Sequence, residues 1–186
     1  DLKTKSLVVD QIFCNDRTAS TSNVTYSTTN YTTLTSWNST ETDYKYGAYG
    51  RLDDFNSNRT PILICPTASD KFTVNTSNGN GALTYPVGLI TADEVAMAGG
   101  VSGSGNSSYY LYTNQSYWVG SPYVFDRGYS IDFRVDNIGV LYDAGVNSIF
   151  WVRPVISLSS EAKLTGDGTY NDVYTVSWAI EKYRKI

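Results

Sequence analysis

The sequence contains no histidine in its 186 residues, and this absence narrows the chemistry open to the protein. Imidazole is the usual general base near neutral pH, the group that activates serine and cysteine nucleophiles, and a common metal ligand. Without it, most hydrolase mechanisms are closed, and an enzyme would have to rely on carboxylates or lysine. We therefore expect a protein that is not an enzyme, with no metal ion and no cofactor.

Cysteine is also scarce, because only Cys14 and Cys65 are present. Two cysteines are too few for a zinc site but can form one disulfide, the alternative being two buried thiols. We favour the disulfide, since the rest of the composition is typical of an extracellular protein. Closing a loop of that length would stabilise the fold by about 4 kcal/mol in the chain-entropy model.

Charge is sparse, at 17% of the residues, and the net charge is −4. The Lys and Arg residues are scattered, whereas a nucleic-acid surface requires them in clusters. No apolar run approaches the roughly 20 residues of a membrane span. The chain also lacks a signal peptide and an initiator Met, which is typical of a mature chain or an excised piece. The sequence thus predicts no nucleic-acid partner and no membrane insertion.

Tyrosine, asparagine, serine, threonine and glycine dominate the composition, with 16 Tyr and 4 Trp against a single Met. This predicts one α+β domain, sheet-rich, with long irregular loops and one or two short helices. Residues 18–42, almost wholly Ser, Thr, Asn and Tyr, are expected to form one such loop. Tyr with Ser, Asn and Gly is also the composition of antibody-like binding loops, although any single Tyr is equally well explained as a half-buried strand residue.

The clearest local signal is a short helix within YPVGLITADEVAMAGG. Thr91 is a good N-cap, and Glu94 follows three residues later as its capping-box partner. Asp93 adds negative charge to the first turn, and Gly99 ends the helix. Asp93 and Glu94 could alternatively be a catalytic pair, but capping explains both residues.

Short apolar or alternating runs predict the strands. In IDFRVD, the alternation places Ile131, Phe133 and Val135 on one face. WVRPVISL is strongly apolar and is expected to be a central strand, in which Arg153 binds an acid or backbone carbonyls and Pro154 marks a bulge or an edge. The predicted strands span residues 61–66, 71–74, 109–113, 131–136, 139–143 and 151–158.

The order of several motifs carries a family resemblance. A T-x-x-E helix ending in Gly-Gly is followed by Y-W-x-G-S-P, F-R-V and V-R-P-V. In that order they resemble the C-terminal half of the C-type lectin fold, in the variant shared by formylglycine-generating-enzyme-like proteins and the variable proteins of diversity-generating retroelements. FCNDR, YGAYGRL and TGDGTYNDVYTV are also similar to uncharacterised gut Firmicute surface or phage domains. The resemblance covers residues 12–176.

This resemblance implies a scaffold whose loops display a ligand-binding face. The diversified residues of retroelement variable proteins correspond to residues 116–150. Adenine substitution in an Asn codon does not readily yield Lys, Glu, Gln or Met, and none of these occurs in that range. The Glu-Pro-Asn and Gln-Pro-Asp tripeptides of calcium-dependent lectins are missing, and Cys14 and Cys65 lie outside the C-terminal region where oxidase members carry their reactive pair. Calcium-dependent sugar binding and oxidase activity are therefore not expected.

We expect aromatic side chains in this region to supply contact area and Asp, Asn and Arg to supply directional hydrogen bonds. For each residue, the alternative is an ordinary strand or loop position. Trp118, Phe133, Val135 and Trp151 are assigned to the core instead. The predicted ligand-binding residues are Tyr117, Tyr123, Phe125, Asp126, Arg127, Tyr129, Asp132, Arg134, Asn137, Tyr142, Asp143, Asn147 and Phe150.

Three functions stay open. The first is a non-enzymatic module that binds a protein or glycan receptor from a bacterial surface, pilus or phage particle, and it would be extracellular, on the cell surface or on the virion. The second is an assembly domain, such as a pilin head or tail-fibre tip, that buries a subunit interface. The third is a glycosidase that uses two carboxylates among Asp126, Asp132, Asp136 and Asp143, although their spacing does not require it.

The character of the sequence changes after Leu158, from a strongly apolar run to a turn and an alternating strand. We expect residues 1–158 to form the C-type lectin-like domain, with an N-terminal part that is either whole or truncated. Residues 159–186 are expected to be a C-terminal β extension and tail packed on the same domain. The sequence leaves the oligomeric state open.

Overall fold

The computed structural model of the protein describes residues 7–20, 44–53, 59–126, 129–169 and 171–178. Most of the predicted 18–42 loop lies outside these ranges. The helices are α1 (Gly47–Leu52) and α2 (Ala92–Ala98), with a 3-10 turn at Ala68–Asp70. The strands are β1 (Val8–Val9), β2 (Phe13–Cys14), β3 (Tyr44–Lys45), β4 (Lys71–Phe72), β5 (Tyr117–Asp126), β6 (Tyr129–Val135), β7 (Leu141–Gly145), β8 (Ser157–Leu158), β9 (Ala162–Thr165) and β10 (Thr175–Trp178).

The main sheet has four antiparallel strands in the order β3-β5-β6-β7 and curls like half a barrel. Three two-stranded sheets accompany it, formed by β1 with β8, β2 with β4, and β9 with β10. Over the described residues the fold is therefore α+β and sheet-rich with two short helices, and the predicted fold class is confirmed at that level. No described helix is long and apolar enough to cross a membrane.

The predicted helix is present as α2, with both of its end signals. Glu94 N donates to Thr91 Oγ1 over 3.1 Å, and Thr91 N donates to Glu94 Oε2 over 2.8 Å, which completes the capping box. Gly99 takes φ 111°, a left-handed conformation that glycine adopts without strain. Val95 is fully buried. Local hydrogen bonding and one apolar side chain therefore account for the whole element.

The second helix, α1, was not predicted. Its sequence, GAYGRL, has two glycines in six residues, and glycine disfavours helix interiors by about 1 kcal/mol relative to alanine. Ala48 and Leu52 are nonetheless buried against the main sheet and α2. Tertiary burial outweighs the low propensity here.

The core lies between the two helices and the concave side of the main sheet. On β6, Phe133 and Val135 are fully buried, as the alternation of IDFRVD predicts. The same pattern makes strands β6 and β7 the best-predicted part of the sheet. The buried core residues are Ala48, Leu52, Ala92, Val95, Tyr109, Tyr117, Val119, Phe133, Val135 and Leu141.

Strand β5 includes Gly120-Ser121-Pro122, residue types that favour turns. The strand continues through them with irregular pairing, with register shifts between Trp118 and Pro122 and between Pro122 and Val124. A β-bulge accommodates a proline, which has no N–H to donate to the ladder. Buried Ser121 accepts a hydrogen bond from Ala92 N over 2.9 Å and so joins this irregular stretch to α2.

Three predicted strands are wrong. Residues 61–66 form no ladder and expose Ile64 by 77%, and residues 109–113 form turns. The 151–158 segment is not a central strand, since it makes only isolated bridges at Trp151 and Val155 before the two residues of β8. Proline accounts for part of this, because Pro61, Pro66 and Pro154 cannot donate to a ladder.

The N-terminal segment is held to the rest of the fold by covalent and ionic links. Cys14 and Cys65 form the favoured disulfide, with their Cα atoms 5.6 Å apart. Arg17 binds fully buried Asp70 through its backbone N and its Nε, both over 2.8 Å. Phe13 also pairs with Phe72 between β2 and β4.

The β9–β10 hairpin pairs with no other strand among the described residues. Its register sets Leu164 opposite Val176 and Thr165 opposite Thr175, and all four side chains are exposed. The packing of residues 159–186 against the domain, including the tail that lies outside the described ranges, stays a prediction.

Candidate ligand-binding surface

The convex side of the main sheet carries a group of stacked aromatic and arginine side chains. Alternation along β6 places Arg134 on this side, because neighbouring Phe133 and Val135 point into the core. The register then sets Arg134 opposite Tyr142 on β7 and opposite Trp118 on β5. Three neighbouring strands thus bring three large side chains to one face.

Phe150 completes the stack from the segment after β7. Its ring meets that of Trp118 edge to face, with centroids 5.1 Å apart. The Arg134 guanidinium carbon lies 4.9 Å from the Phe150 centroid and 5.3 Å from that of Tyr142. Such cation–π and edge-to-face contacts hold side chains rigidly and are worth about 0.5–1.5 kcal/mol each.

Residues 149–152 run beside the start of β5 and extend this surface. Trp151 N donates to Ser116 O over 3.1 Å, and Trp118 N donates to Trp151 O over 3.0 Å. This parallel bridge pairs Trp151 with Tyr117, so the Trp151 side chain lies on the core side of the sheet although it is 64% exposed. Val152, the next residue, is 63% exposed and shares the side of Phe150 and Trp118. We use the name aromatic face for the surface formed by Trp118, Arg134, Tyr142, Phe150 and Val152.

Arg134 is bound only by uncharged acceptors. Its Nε donates to Asp143 O over 3.1 Å, and its Nη1 donates to Ser116 Oγ over 3.3 Å. Ion pairs within 4 Å are found at Arg17 and Arg51 among the described residues, but not at Arg134. The aromatic face therefore holds a positive charge that no described carboxylate neutralises by direct contact.

Two acidic side chains flank Arg134 along the sheet without binding it. Asp132 shares its side of β6, and burial raises the pKa of the Asp132 carboxyl to about 6. Asp143 pairs with Phe133 and so points to the opposite, concave side. Burial and the nearby Asp53 charge raise the pKa of Asp143, and the Arg134 charge offsets part of that effect.

The predicted binding residues do not form one surface. Arg134, Tyr142 and Phe150 come together on the aromatic face, whereas Tyr123 contacts the ring of Phe133 on the concave side. Half-buried members are Tyr123, Phe125, Asp132, Arg134, Asp143 and Phe150. Exposed members are Tyr129, Asn137, Tyr142 and Asn147. The side chain of Asp126 and the whole of Arg127 lie outside the described residues.

Tyr117 is a core residue rather than a contact residue. Its side chain is 1% exposed, and its hydroxyl donates to Leu111 O over 3.1 Å. Arg153 covers its ring at 4.7 Å and donates from Nη1 to Leu111 O over 2.7 Å, which confirms that this arginine holds a backbone carbonyl. Trp118 and Trp151 show the reverse error, because both were assigned to the core. Trp118 is half-buried on the aromatic face, and Trp151 is 64% exposed.

Among the candidate carboxylates for glycoside hydrolysis whose side chains are described, namely Asp132, Asp136 and Asp143, we find no catalytic pair. Asp132 and Asp143 lie on opposite sides of the sheet. Asp136 accepts hydrogen bonds from the backbone N of Ile138 and of Val140, both over 2.9 Å, and so stabilises the β6–β7 turn. A two-carboxylate mechanism needs both groups to face one cleft. No described group of three or more His, Cys, Asp or Glu residues could hold a metal ion.

No protein-family model, curated protein or solved structure matches this chain. The C-type lectin resemblance stays a prediction from the sequence motifs.

Sequence reasoning missed a pocket of about 300 Å³ between β2, the 62–65 segment and the start of α2. Arg51 lines this pocket, and its Nη2 lies 2.8 Å from Asp93 Oδ2 and 2.9 Å from Asp16 Oδ2. The contact with Asp16 is an ion pair, because Asp16 Oδ2 accepts no hydrogen bond from a described residue. Asp16, Arg51 and Asp93 are 35 or more residues apart in sequence, so no local pattern signals the cluster. The mutual pairing of these charges explains them as structural links.

Proposed function

We propose that the protein is a non-enzymatic binding module that engages a protein or glycan receptor through the aromatic face. The observation that carries the proposal is the stack of Arg134 with Tyr142 and Phe150, bordered by the exposed side chain of Val152. Tyr, Trp and Arg dominate the energetics of protein interfaces, and pre-ordered side chains lose little entropy on binding.

The sequence resemblance supports the finer parts of the proposal. We infer a C-type lectin-like scaffold displayed on a bacterial surface, pilus or phage particle, with diversification of the retroelement kind within residues 116–150. Tyr142 and Phe150 lie in that range, as do exposed Tyr129 and Asn147. A diversified protein needs variable positions that face solvent and leave the core intact, and these four positions meet that requirement at least in part.

The decisive test of diversification is to sequence the encoding locus in many siblings across codons 105–160. We expect a nearby near-copy that differs at adenines, with variation at exposed positions such as Tyr142 and Asn147. The buried positions Tyr117, Phe133 and Val135 should stay constant. An invariant locus without such a copy would remove the retroelement part of the proposal and leave a fixed adhesin.

Binding itself can be tested on glycan and peptide arrays with Tyr142→Ser. Tyr174→Ser is the matched control, because Tyr142 and Tyr174 are similarly exposed, at 51% and 56%. Tyr174 directly precedes β10 and is not part of the aromatic face. Loss of binding in the first variant alone supports the proposal. Equal binding by the wild type and Tyr142→Ser contradicts the assignment of the face.

An assembly domain is a second candidate, favoured by one observation. Ile149 is 96% exposed and lies next to Trp151 and Val152, which are each more than 60% exposed. Contiguous apolar surface of this kind often becomes a subunit interface. Light scattering coupled to gel filtration decides the question, because a stable oligomer that Ile149→Asp dissociates supports assembly, and a monomeric wild type rules it out.

A further inference from the structure

The guanidinium of Arg134 lies beside two aromatic rings, and one of its three nitrogens has no described hydrogen-bond acceptor. Rings of Tyr142 and Phe150 contact it, and Nε and Nη1 bind neutral oxygens of Asp143 and Ser116. Its Nη2 makes no hydrogen bond to a described residue. A guanidinium prefers two parallel N–H···O bonds to a carboxylate, and this orientation leaves donors for such a partner.

Other arginines of the domain show what Arg134 lacks. Arg17 binds the carboxylate of Asp70, and Arg51 contacts the carboxylates of Asp16 and Asp93. Arg153 resembles Arg134 in binding a backbone carbonyl and covering a tyrosine ring, but that ring belongs to a core residue. Arg134 is distinguished by its place in an otherwise exposed aromatic surface.

We propose that Arg134 is the anchor for a carboxylate side chain on a protein partner whose apolar residues cover Tyr142 and Val152. The inference rests on the proposed binding function and names the chemistry of its ligand. Charge complementarity specifies an Asp or Glu of the partner, since no described carboxylate is in ion-pair contact with the half-buried cation. The free-energy cost of removing that carboxylate from water is offset by two charge-assisted hydrogen bonds and by contact with the adjacent rings.

A protein is favoured over an acidic sugar by the aliphatic part of the surface. Sugars stack on aromatic rings and bind through hydrogen bonds, whereas Val152 exposes an aliphatic side chain without polar groups. Aliphatic side chains gain most by burial against apolar protein surface, at about 25 cal/mol per Å². The partner should therefore present an acidic residue beside aliphatic or aromatic ones.

A displayed library of random peptides, selected on the full chain, tests this. We expect enriched peptides to carry Asp or Glu next to apolar residues. Arg134→Gln should weaken a selected peptide about tenfold, and changing the acid of the peptide to its amide should weaken binding to the wild type equally. That amide change should have almost no effect on Arg134→Gln, because the two groups act as one pair.

Arg153→Gln is the matched control, since it removes a half-buried, ring-stacked arginine elsewhere, and it should bind the peptide normally. Circular dichroism melting establishes that each variant is folded. If Arg134→Gln does not fold, the amide peptide on the wild type and Arg134→Lys, which keeps the charge but loses the planar fork, still decide the matter. Equal binding of acid and amide peptides overturns the inference.

The remaining outcomes separate this inference from the proposed function. Peptides that need Tyr142 and Val152 but no acid leave the binding module standing and refute the carboxylate anchor. Binding of glucuronate-bearing glycans in place of peptides refutes the protein partner. Selection of nothing above the empty support, by peptides or glycans, refutes both proposals.

Discussion

Arg51 on α1 and Asp93 on α2 form a bidentate ion pair that joins the two helices. Nε lies 3.0 Å from Oδ1 and Nη2 lies 2.8 Å from Oδ2. Asp93 Oδ1 also accepts a hydrogen bond from Ile62 N over 2.9 Å. Asp93, which adds negative charge to the first turn of α2, thus also binds α1 and the 62–65 segment.

Arg51→Met should therefore destabilise the fold by about 3–5 kcal/mol, because two nearly buried carboxylates would lose their common cation. Urea unfolding measures the change. Lys163→Met on the exposed hairpin is the control and should stay within about 0.5 kcal/mol of the wild type. A cost for Arg51→Met as small as that of the control would show that the carboxylates are solvated by other means.

Asp132 should make stability depend on pH. Its folded pKa, about 6, lies above the unfolded value of 3.8, so the folded state favours the protonated form. The resulting stabilisation is complete below the unfolded pKa and is lost as the pH rises through about 6. Asp132→Asn should therefore be more stable than the wild type at pH 8, by about 1–2 kcal/mol allowing for partial exposure, and nearly equal at pH 4.

Asp10 provides the opposite sign in the same experiment. Hydrogen bonds from the backbone N of Val74 and of Asn75 lower the pKa of its carboxyl. The stabilisation by Asp10 is present above its unfolded pKa and is lost as the pH falls through the folded value. Melting temperatures measured from pH 3 to pH 8 check both signs. Relative to the wild type, the melting temperature of Asp132→Asn should rise with pH and that of Asp10→Asn should fall.

Reduction of the Cys14–Cys65 disulfide should cost about 4 kcal/mol in the chain-entropy model, given a sequence separation of 51. Urea unfolding with and without reductant measures it, and the Cys14→Ser/Cys65→Ser double variant should match the reduced wild type. Reductant should leave the double variant unchanged. A reduced protein as stable as the oxidised one would mean that the unfolded chain is already compact.

Gly139 and Gly103 separate backbone strain from steric overlap. Both have positive φ, 81° and 75°, so alanine at either is strained by about 1 kcal/mol. A Cβ at Gly139 would overlap the backbone carbonyl of Asn106, whereas one at Gly103 meets nothing within 4 Å. Gly139→Ala should cost at least 2 kcal/mol more than Gly103→Ala by the usual scale of core overpacking, and equal costs in urea unfolding would show that the β6–β7 turn relaxes.

Elements whose hydrogen bonds or burial follow a local pattern were predictable. Helix α2 was found from Thr91, Glu94 and Gly99, because its capping box and left-handed end close within a few residues. Strand β6 was found from the alternation around Phe133, because a half-buried strand must alternate. These are the parts of the fold where one stretch of sequence contains its own partners.

The aromatic face was only partly predictable. Arg134, Tyr142 and Phe150 were named because they are large or charged in a Tyr-rich region, but nothing local shows that two strands and a following segment stack them. Tyr117 looked no different from Tyr142, yet register places one in the core and the other in solvent. A shift of one residue in the pairing of either strand would turn its tyrosine to the other side of the sheet.

The sequence by itself determined the α+β composition, one helix with its ends, the alternating strands and the available cysteine pair, all of which depend on residue type or near neighbours. Only the tertiary structure decided which apolar runs are buried. Trp151 and Ile64 sit in runs that a sequence pattern marks as core, and both are exposed. The physical reason is that burial of a short apolar run depends on distant strands to cover it, and a proline-broken backbone cannot join their ladder.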